Sequence, residues 1–120
     1  MYLDVKILNK INSLKDVSFA YLFGSYATNE QTEGSDIDIA VYLNSLSLDT
    51  ELQITYEISK LTHKNIDIVV LNRVKNIFLL ENILNNGIIL KDNEKRFDFE
   101  LLKQHEVLDY KAFRRYIDAA

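Results

Sequence analysis

The sequence predicts an α/β (α+β) fold, a small mixed β-sheet flanked by helices, and three observations carry that expectation. Apolar runs bounded by glycine or polar residues, at about residues 17–23, 36–43 and 65–71, read as buried or half-buried strands. Between them lie segments whose apolar residues recur at helical spacing. No proline, repeat or low-complexity tract interrupts the alternation, so one layered domain over residues 1–120 is expected.

Taken in order, Leu3, Ile7, Ile11 and Leu14 put one apolar stripe on an opening helix over about residues 2–15. Val17 to Phe23 is an aromatic-rich apolar strand that stops at Gly24. Ser25-Tyr26-Ala27-Thr28 starts a short helix with Ser25 as its cap, and the polar residues 29–35 loop around Gly34. A second strand follows. Leu52, Ile54, Tyr56, Ile58 and Leu61 suggest a crossover helix, and Asn65 to Leu71 a third strand. A helix from about Val74 to Asn86 is expected to end at Asn86-Gly87, a pair that favours a left-handed stop, after which Ile88-Ile89-Leu90 adds an edge strand. A C-terminal helix at about 93–118 closes the chain.

Composition narrows the function. A hydrophobic fraction of 48% with 27% charged residues is that of a globular domain, which excludes a disordered chain. No apolar run approaches the ~20 residues of a membrane span, and Met1 to Lys6 lacks the order of a signal peptide, so a cytoplasmic protein without a membrane partner is expected. There is no cysteine, and His63 and His105 are the only histidines, so any metal must sit on oxygen ligands. The net charge of −4 disfavours direct binding to nucleic acid. That charge is unevenly spread: between Lys15 and Lys60 there is no Lys or Arg but there are eight acids, whereas residues 91–120 hold seven basic and seven acidic side chains.

The acidic stretch holds the chemistry. Side chains two apart on a strand share a face, so Asp36 and Asp38 point one way while Ile37, Ile39 and Val41 fill the other. Two carboxylates so placed, with no basic neighbour in sequence, repel each other, and Mg²⁺ or Mn²⁺ would remove that repulsion. Asp67 breaks an otherwise apolar run where an unpartnered acid is costly, and is a third candidate ligand from a neighbouring strand. Gly24 lets backbone approach a phosphate, and Ser25 with the amides of its turn is suited to hold one. Gly24 and Ser25 alone would do no more than end a strand and cap a helix. Joined to the acids they suit nucleotidyl transfer, with two metal ions aligning an attacking hydroxyl and a leaving pyrophosphate and Asp67 acting as base or ligand for the attacking oxygen. Tyr2, Tyr21, Tyr26, Tyr42, Tyr56, Tyr110 and Tyr116 read mostly as core or rim residues, with Tyr26 and Tyr42 close enough in sequence to the motif to be candidates for stacking on a base. The tail has more apolar residues than one helix stripe can bury, and its cluster Lys111, Arg114 and Arg115 reads as a solvated helix end, with contact to an acidic partner surface or to the nucleotide as the alternatives.

Gly24-Ser25, ten intervening residues, Asp36-x-Asp38 and the later Asp67 resemble the signature of the DNA polymerase β-type nucleotidyltransferase superfamily. In length the chain resembles the minimal nucleotidyltransferase (MNT) antitoxins paired with HEPN ribonuclease toxins. The resemblance implies the nucleotidyltransferase fold, ATP as substrate, Gly24 and Ser25 at the nucleotide, and Asp36, Asp38 and Asp67 as catalytic metal ligands for two Mg²⁺ ions, with Mn²⁺ as the alternative. It further implies transfer of AMP to a tyrosine of a cognate HEPN toxin bound as a hetero-oligomer. A small-molecule or RNA-end transferase, and a non-catalytic antitoxin that masks its partner, are the alternatives. One departure stands out: many relatives carry arginine or lysine shortly after Gly-Ser, where this chain has Thr28-Asn29.

Overall fold

A computed structural model describes residues 3–119. Among them the chain runs α1 (Val5–Ser13), β1 (Val17–Phe23), α2 (Ser25–Thr28), β2 (Ile37–Leu43), α3 (Leu48–Ser59), β3 (Ile66–Val70), a 3₁₀ turn at Leu71–Arg73, α4 (Ile77–Asn86), β4 (Ile88–Lys91) and α5 (Lys95–Ala119). The sheet order is β3-β2-β1-β4, with β2 and β3 parallel and the other pairs antiparallel. The expected mixed sheet flanked by helices is therefore present. Tyr2, read as a core or rim residue at the start of the first helix, lies outside the described residues. No helix among the described residues is long and apolar enough to cross a membrane.

Every residue of β1 is buried, because this central strand is covered on both faces. Ala20 and Leu22 join Ile39 and Val41 of β2 under Ile7 and Ile11 of α1 and Ile54 and Ile58 of α3. On the other face Phe19, Tyr21 and Phe23 join Ala40 under Leu80 and Ile83 of α4 and Phe99 and Val107 of α5. A bulge between Val17 and Phe19 shifts the register against β2, which is why Val17 shares a face with Ala20 instead of alternating with it. Each fully buried Ile or Leu side chain contributes roughly 1.5–3 kcal/mol of transfer free energy, so the two layers hold the sheet ends that carry the polar residues.

Caps decide where helices start. The carboxylate of Asp4 accepts from the Lys6 amide at 2.8 Å, Ser47 Oγ from Thr50 at 3.1 Å, and Asn76 Oδ1 from Phe78 at 3.0 Å and Leu79 at 3.2 Å. The Asn76 cap sets the start of α4 at Ile77, three residues later than the apolar spacing suggested. α3 buries Ile54 and Ile58 but leaves Leu52 and Tyr56 exposed, so only part of the expected stripe meets the core. Two readings are corrected outright. Ser25 is the first residue of α2, and Gly24 is its cap. Gly87 has φ −67°, so α4 does not end on a left-handed residue; glycine is required there because a Cβ would meet the Ile83 carbonyl oxygen at 2.4 Å and the Tyr21 ring at 3.3 Å.

The start of α5 is tied to the sheet by a polar chain. Arg96 donates to Asp92 at 2.7 Å and to Glu100 at 2.9 Å, and Glu100 also accepts from the Tyr21 hydroxyl. Burial, then the bond to Glu100, pushes the Tyr21 phenol well above its usual range, so it stays a donor.

Candidate active site

The register of the sheet brings the expected acids to one edge. β1 ends at Phe23, whose Cα partner on β2 is Asp38, and Asp38 is in turn the partner of Asp67 on β3. Parallel partners point to the same face about 5 Å apart, so Asp38 and Asp67 stand side by side. That face is the one covered further along by α4 and α5, since Ala40 two residues on belongs to their layer. Asp36 lies one residue before β2 and is exposed, whereas Asp38 is half-buried and Asp67 exposed.

Gly24 meets this pair from the end of β1. Its φ of 72° with ψ −155° falls in a region that only glycine occupies without strain. A Cβ built there would stand 2.2 Å from Asp38 Oδ2, so the Asp38 carboxylate rests directly on the Gly24 backbone. The amides of Ala27 and Thr28 then close α2 onto the Gly24 carbonyl at 3.1 and 3.3 Å. The loop that carries Asp36 is pinned by Ser35 to Thr32, by the Ile37 amide donating to the Asn65 carbonyl at 2.9 Å, and by Lys64 Nζ donating to the Glu33 carbonyl.

Electrostatics agrees with the geometry. Among the described residues no hydrogen bond or ion pair neutralises Asp36, Asp38 or Asp67. Burial first, then the charges of Asp67 and Asp36, raises the Asp38 carboxyl above its ordinary value. Asp38 thus feels both of its neighbours, but among the described residues no group of three such side chains is drawn close enough to clasp an ion. The fuller convergence expected of the acids is met for Asp38 with Asp67 and is looser for Asp36, which sits outside the strand. An oxygen-only, cation-free donor set of this kind fits a hard divalent ion.

Beside the acids opens a cleft of about 380 Å³ lined by Gly24, Ser25, Thr28, Glu30, Asn82 and Asn86. Asn82 and Asn86 form its far wall, with Asn86 Nδ2 donating a hydrogen bond to Asn82 Oδ1 at 2.9 Å. The sequence reading missed both, and the signal available was a pair of asparagines at i, i+4, which share one face of a helix whose other polar residues are Glu81 and Asn85. No Lys or Arg lines this cleft, in keeping with Thr28-Asn29 after the turn. Tyr26 is buried in the α1/α3 layer and so is not available to a base. Tyr42 is stacked on Phe19 at 4.9 Å, four residues along β2 from Asp38 and hence ~13 Å away. His63 and His105 are exposed.

Known proteins share both sequence and fold with this chain. Residues 5–96 match the family model described as Polymerase beta, Nucleotidyltransferase. Two candidate protein adenylyltransferases of Methanocaldococcus jannaschii are similar to the chain. One is 38% identical over 73 residues, 60% of this chain and 77% of that protein; the other is 36% identical over 85 residues, 65% and 78% respectively. In fold, the chain is similar to a chain of a toxin-antitoxin complex with AMP-PNP, at TM-score 0.79 and 22% identity over 98% of this chain and 97% of that one. It is similar also to a chain from the complex of a tri-AMPylated Shewanella oneidensis HEPN toxin with an MNT antitoxin, at TM-score 0.66 and 22% identity over 96% and 89%. With the matched segment spanning β1 to β4 and the glycine-serine turn set against two in-register acids, the chain belongs to the polymerase β nucleotidyltransferase family.

Proposed function

We propose that this chain is an antitoxin of the MNT type, a protein adenylyltransferase that moves AMP from ATP to a tyrosine of a partner HEPN ribonuclease in the cytoplasm and so silences it. The observation that carries the reading is the contact of the Asp38 carboxylate with the Gly24 backbone, beside Asp67 in register. It supports a site where a phosphate chain laid on the glycine turn meets a carboxylate pair. The names of the relatives support the acceptor class, being candidate protein adenylyltransferases and toxin-antitoxin complexes.

In this reading Gly24 admits the phosphates, the Ser25 hydroxyl binds them, and Asn82 and Asn86 face them with amides across the cleft. Asp36, Asp38 and Asp67 would hold the divalent cations, two Mg²⁺ or Mn²⁺. When bound, such ions neutralise the triphosphate and the leaving pyrophosphate. The tyrosine oxygen attacks the α-phosphorus, a new P–O bond forms as the bond to the β-phosphate oxygen breaks, and Asp67 at the outer rim takes the phenolic proton. Asp38, whose charged form is disfavoured by burial and its neighbours, is the member most improved by a cation. One catalytic domain carries all of these groups.

The purified chain with a partner HEPN ribonuclease, ATP and Mg²⁺ should add one or more AMP units to the ribonuclease, read by intact mass. Asp36→Ala with Asp38→Ala should abolish the addition and leave the fold intact. A second reading, inhibition by masking, is favoured by the cation-free cleft. An unmodified yet inhibited ribonuclease would select it. The acidic balance of the chain speaks against an RNA-end acceptor.

A further inference from the structure

The buried stripe of α5 runs past the body that it packs on. Phe99 and Val107 are buried, and Tyr110 meets Phe78 of α4 edge to face at 6.0 Å. Phe113 and Ile117 continue the same stripe three and seven residues beyond Tyr110, yet they are 59% and 49% exposed, and Phe78 itself is 70% exposed. Scattered apolar side chains on a surface need no explanation, but these are contiguous and extend a core face. Where Phe78 meets Tyr110 opens a groove of about 700 Å³ lined by these two rings with Lys111, Arg114 and Arg115, and Phe113 and Ile117 lie further along α5. Lys111 pairs with Glu81, while Arg114 and Arg115 have no acidic partner among the described residues.

The groove is thus apolar and basic on a chain of net charge −4, and its charge is opposite to that of the acidic site edge. The two are linked by one helix. Phe78, Asn82 and Asn86 recur at i, i+4 and i+8 on α4, so the helix edge that starts at the groove reaches the nucleotide cleft about 12 Å away. We propose that this groove docks the acceptor protein, through an acidic segment with apolar anchors, and that a partner seated there lies along α4 with its acceptor residue toward the cleft. The inference rests on the adenylyltransferase reading. A protein is favoured over RNA because two free arginines do not make the extended basic track that a polyanion needs.

The test uses the full chain with a HEPN ribonuclease as its partner. Arg114→Glu with Arg115→Glu, and separately Phe78→Ala, should weaken binding of that ribonuclease by about ten-fold or more, as loss of interface anchors does. The KM for the ribonuclease should rise in step, with kcat and ATP affinity unchanged. Wild-type affinity should fall with added salt, and the double charge reversal should flatten that dependence. Unchanged binding and KM would overturn the proposal. So would a groove that binds RNA, or that closes a dimer of this chain, while the ribonuclease binds every variant equally. Groove-dependent binding without AMP transfer would leave the docking surface standing and remove the catalytic reading instead.

Discussion

Replacing Asp38 by asparagine should stabilise the metal-free chain at neutral pH, contrary to the usual effect of altering a half-buried residue. The carboxylate rests on Gly24 and faces Asp67 across the ladder, with Asp36 two residues before it, and no cation offsets the three charges among the described residues. Two unit charges ~5 Å apart repel by about 3 kcal/mol at an effective dielectric constant near 20 and by about 0.8 kcal/mol in water. Asp36 and Asp67 are exposed, so the value near the water limit applies. Relief of roughly 1 kcal/mol is expected, or about 4 °C in Tm for a domain of this size. Asparagine keeps the volume, so no cavity offsets the gain.

The sign of the pH dependence separates this cause from others. The folded carboxyl of Asp38 titrates above its unfolded value, chiefly through burial and then through Asp67 and Asp36. Its stabilising contribution is therefore complete below the unfolded value and is lost as pH rises through the folded one. Wild type and Asp38→Asn should melt together in acid and diverge as the medium approaches neutrality, with the variant above. Differential scanning calorimetry across that window reads the effect. Added Mg²⁺ should then raise the Tm of the wild type by mass action and leave the variant nearly unmoved. A variant less stable than wild type at neutral pH, or an offset equal at every pH, would refute the electrostatic account of the site.

Gly24→Ala should cost about 2–3 kcal/mol in chemical denaturation, from a glycine-only backbone conformation and a Cβ 2.2 Å from Asp38 Oδ2; combining it with Asp38→Ala should recover part of the loss, and full additivity would contradict the contact. Thr28→Arg should tighten ATP several-fold in titration calorimetry and make binding more salt-sensitive, because the cleft it lines holds Glu30 and no cation. Tyr21→Phe should lower stability by about 1 kcal/mol through loss of its bond to Glu100, and an unchanged denaturation midpoint would show that Arg96 satisfies Glu100 alone.

What was legible in the chain depended on how local the cause was. β1 is buried on both faces, so its seven residues are uniformly apolar apart from Ser18 and its bounds could be read directly. The Asp38–Asp67 pairing was readable because an acid in an apolar strand needs a partner, and two such interruptions in neighbouring strands point to each other. Gly87 looked like a left-handed stop, but its reason is a ring and a carbonyl contributed by Tyr21 and Ile83, which local turn preferences do not contain. Gly24 took the cap from Ser25 for the same kind of reason: the Asp38 carboxylate, fourteen residues on, occupies the space a side chain would need. Asn82 and Asn86 became a cleft wall only once α4 packed against the end of β1, and the Asn76 cap, though local, was masked by an apolar spacing that already begins at Val74. The acids of the site are thus marked by the energetic penalty each carries alone, whereas neutral residues that shape the cleft carry no such penalty and emerge only from the packing of α4 against the end of β1.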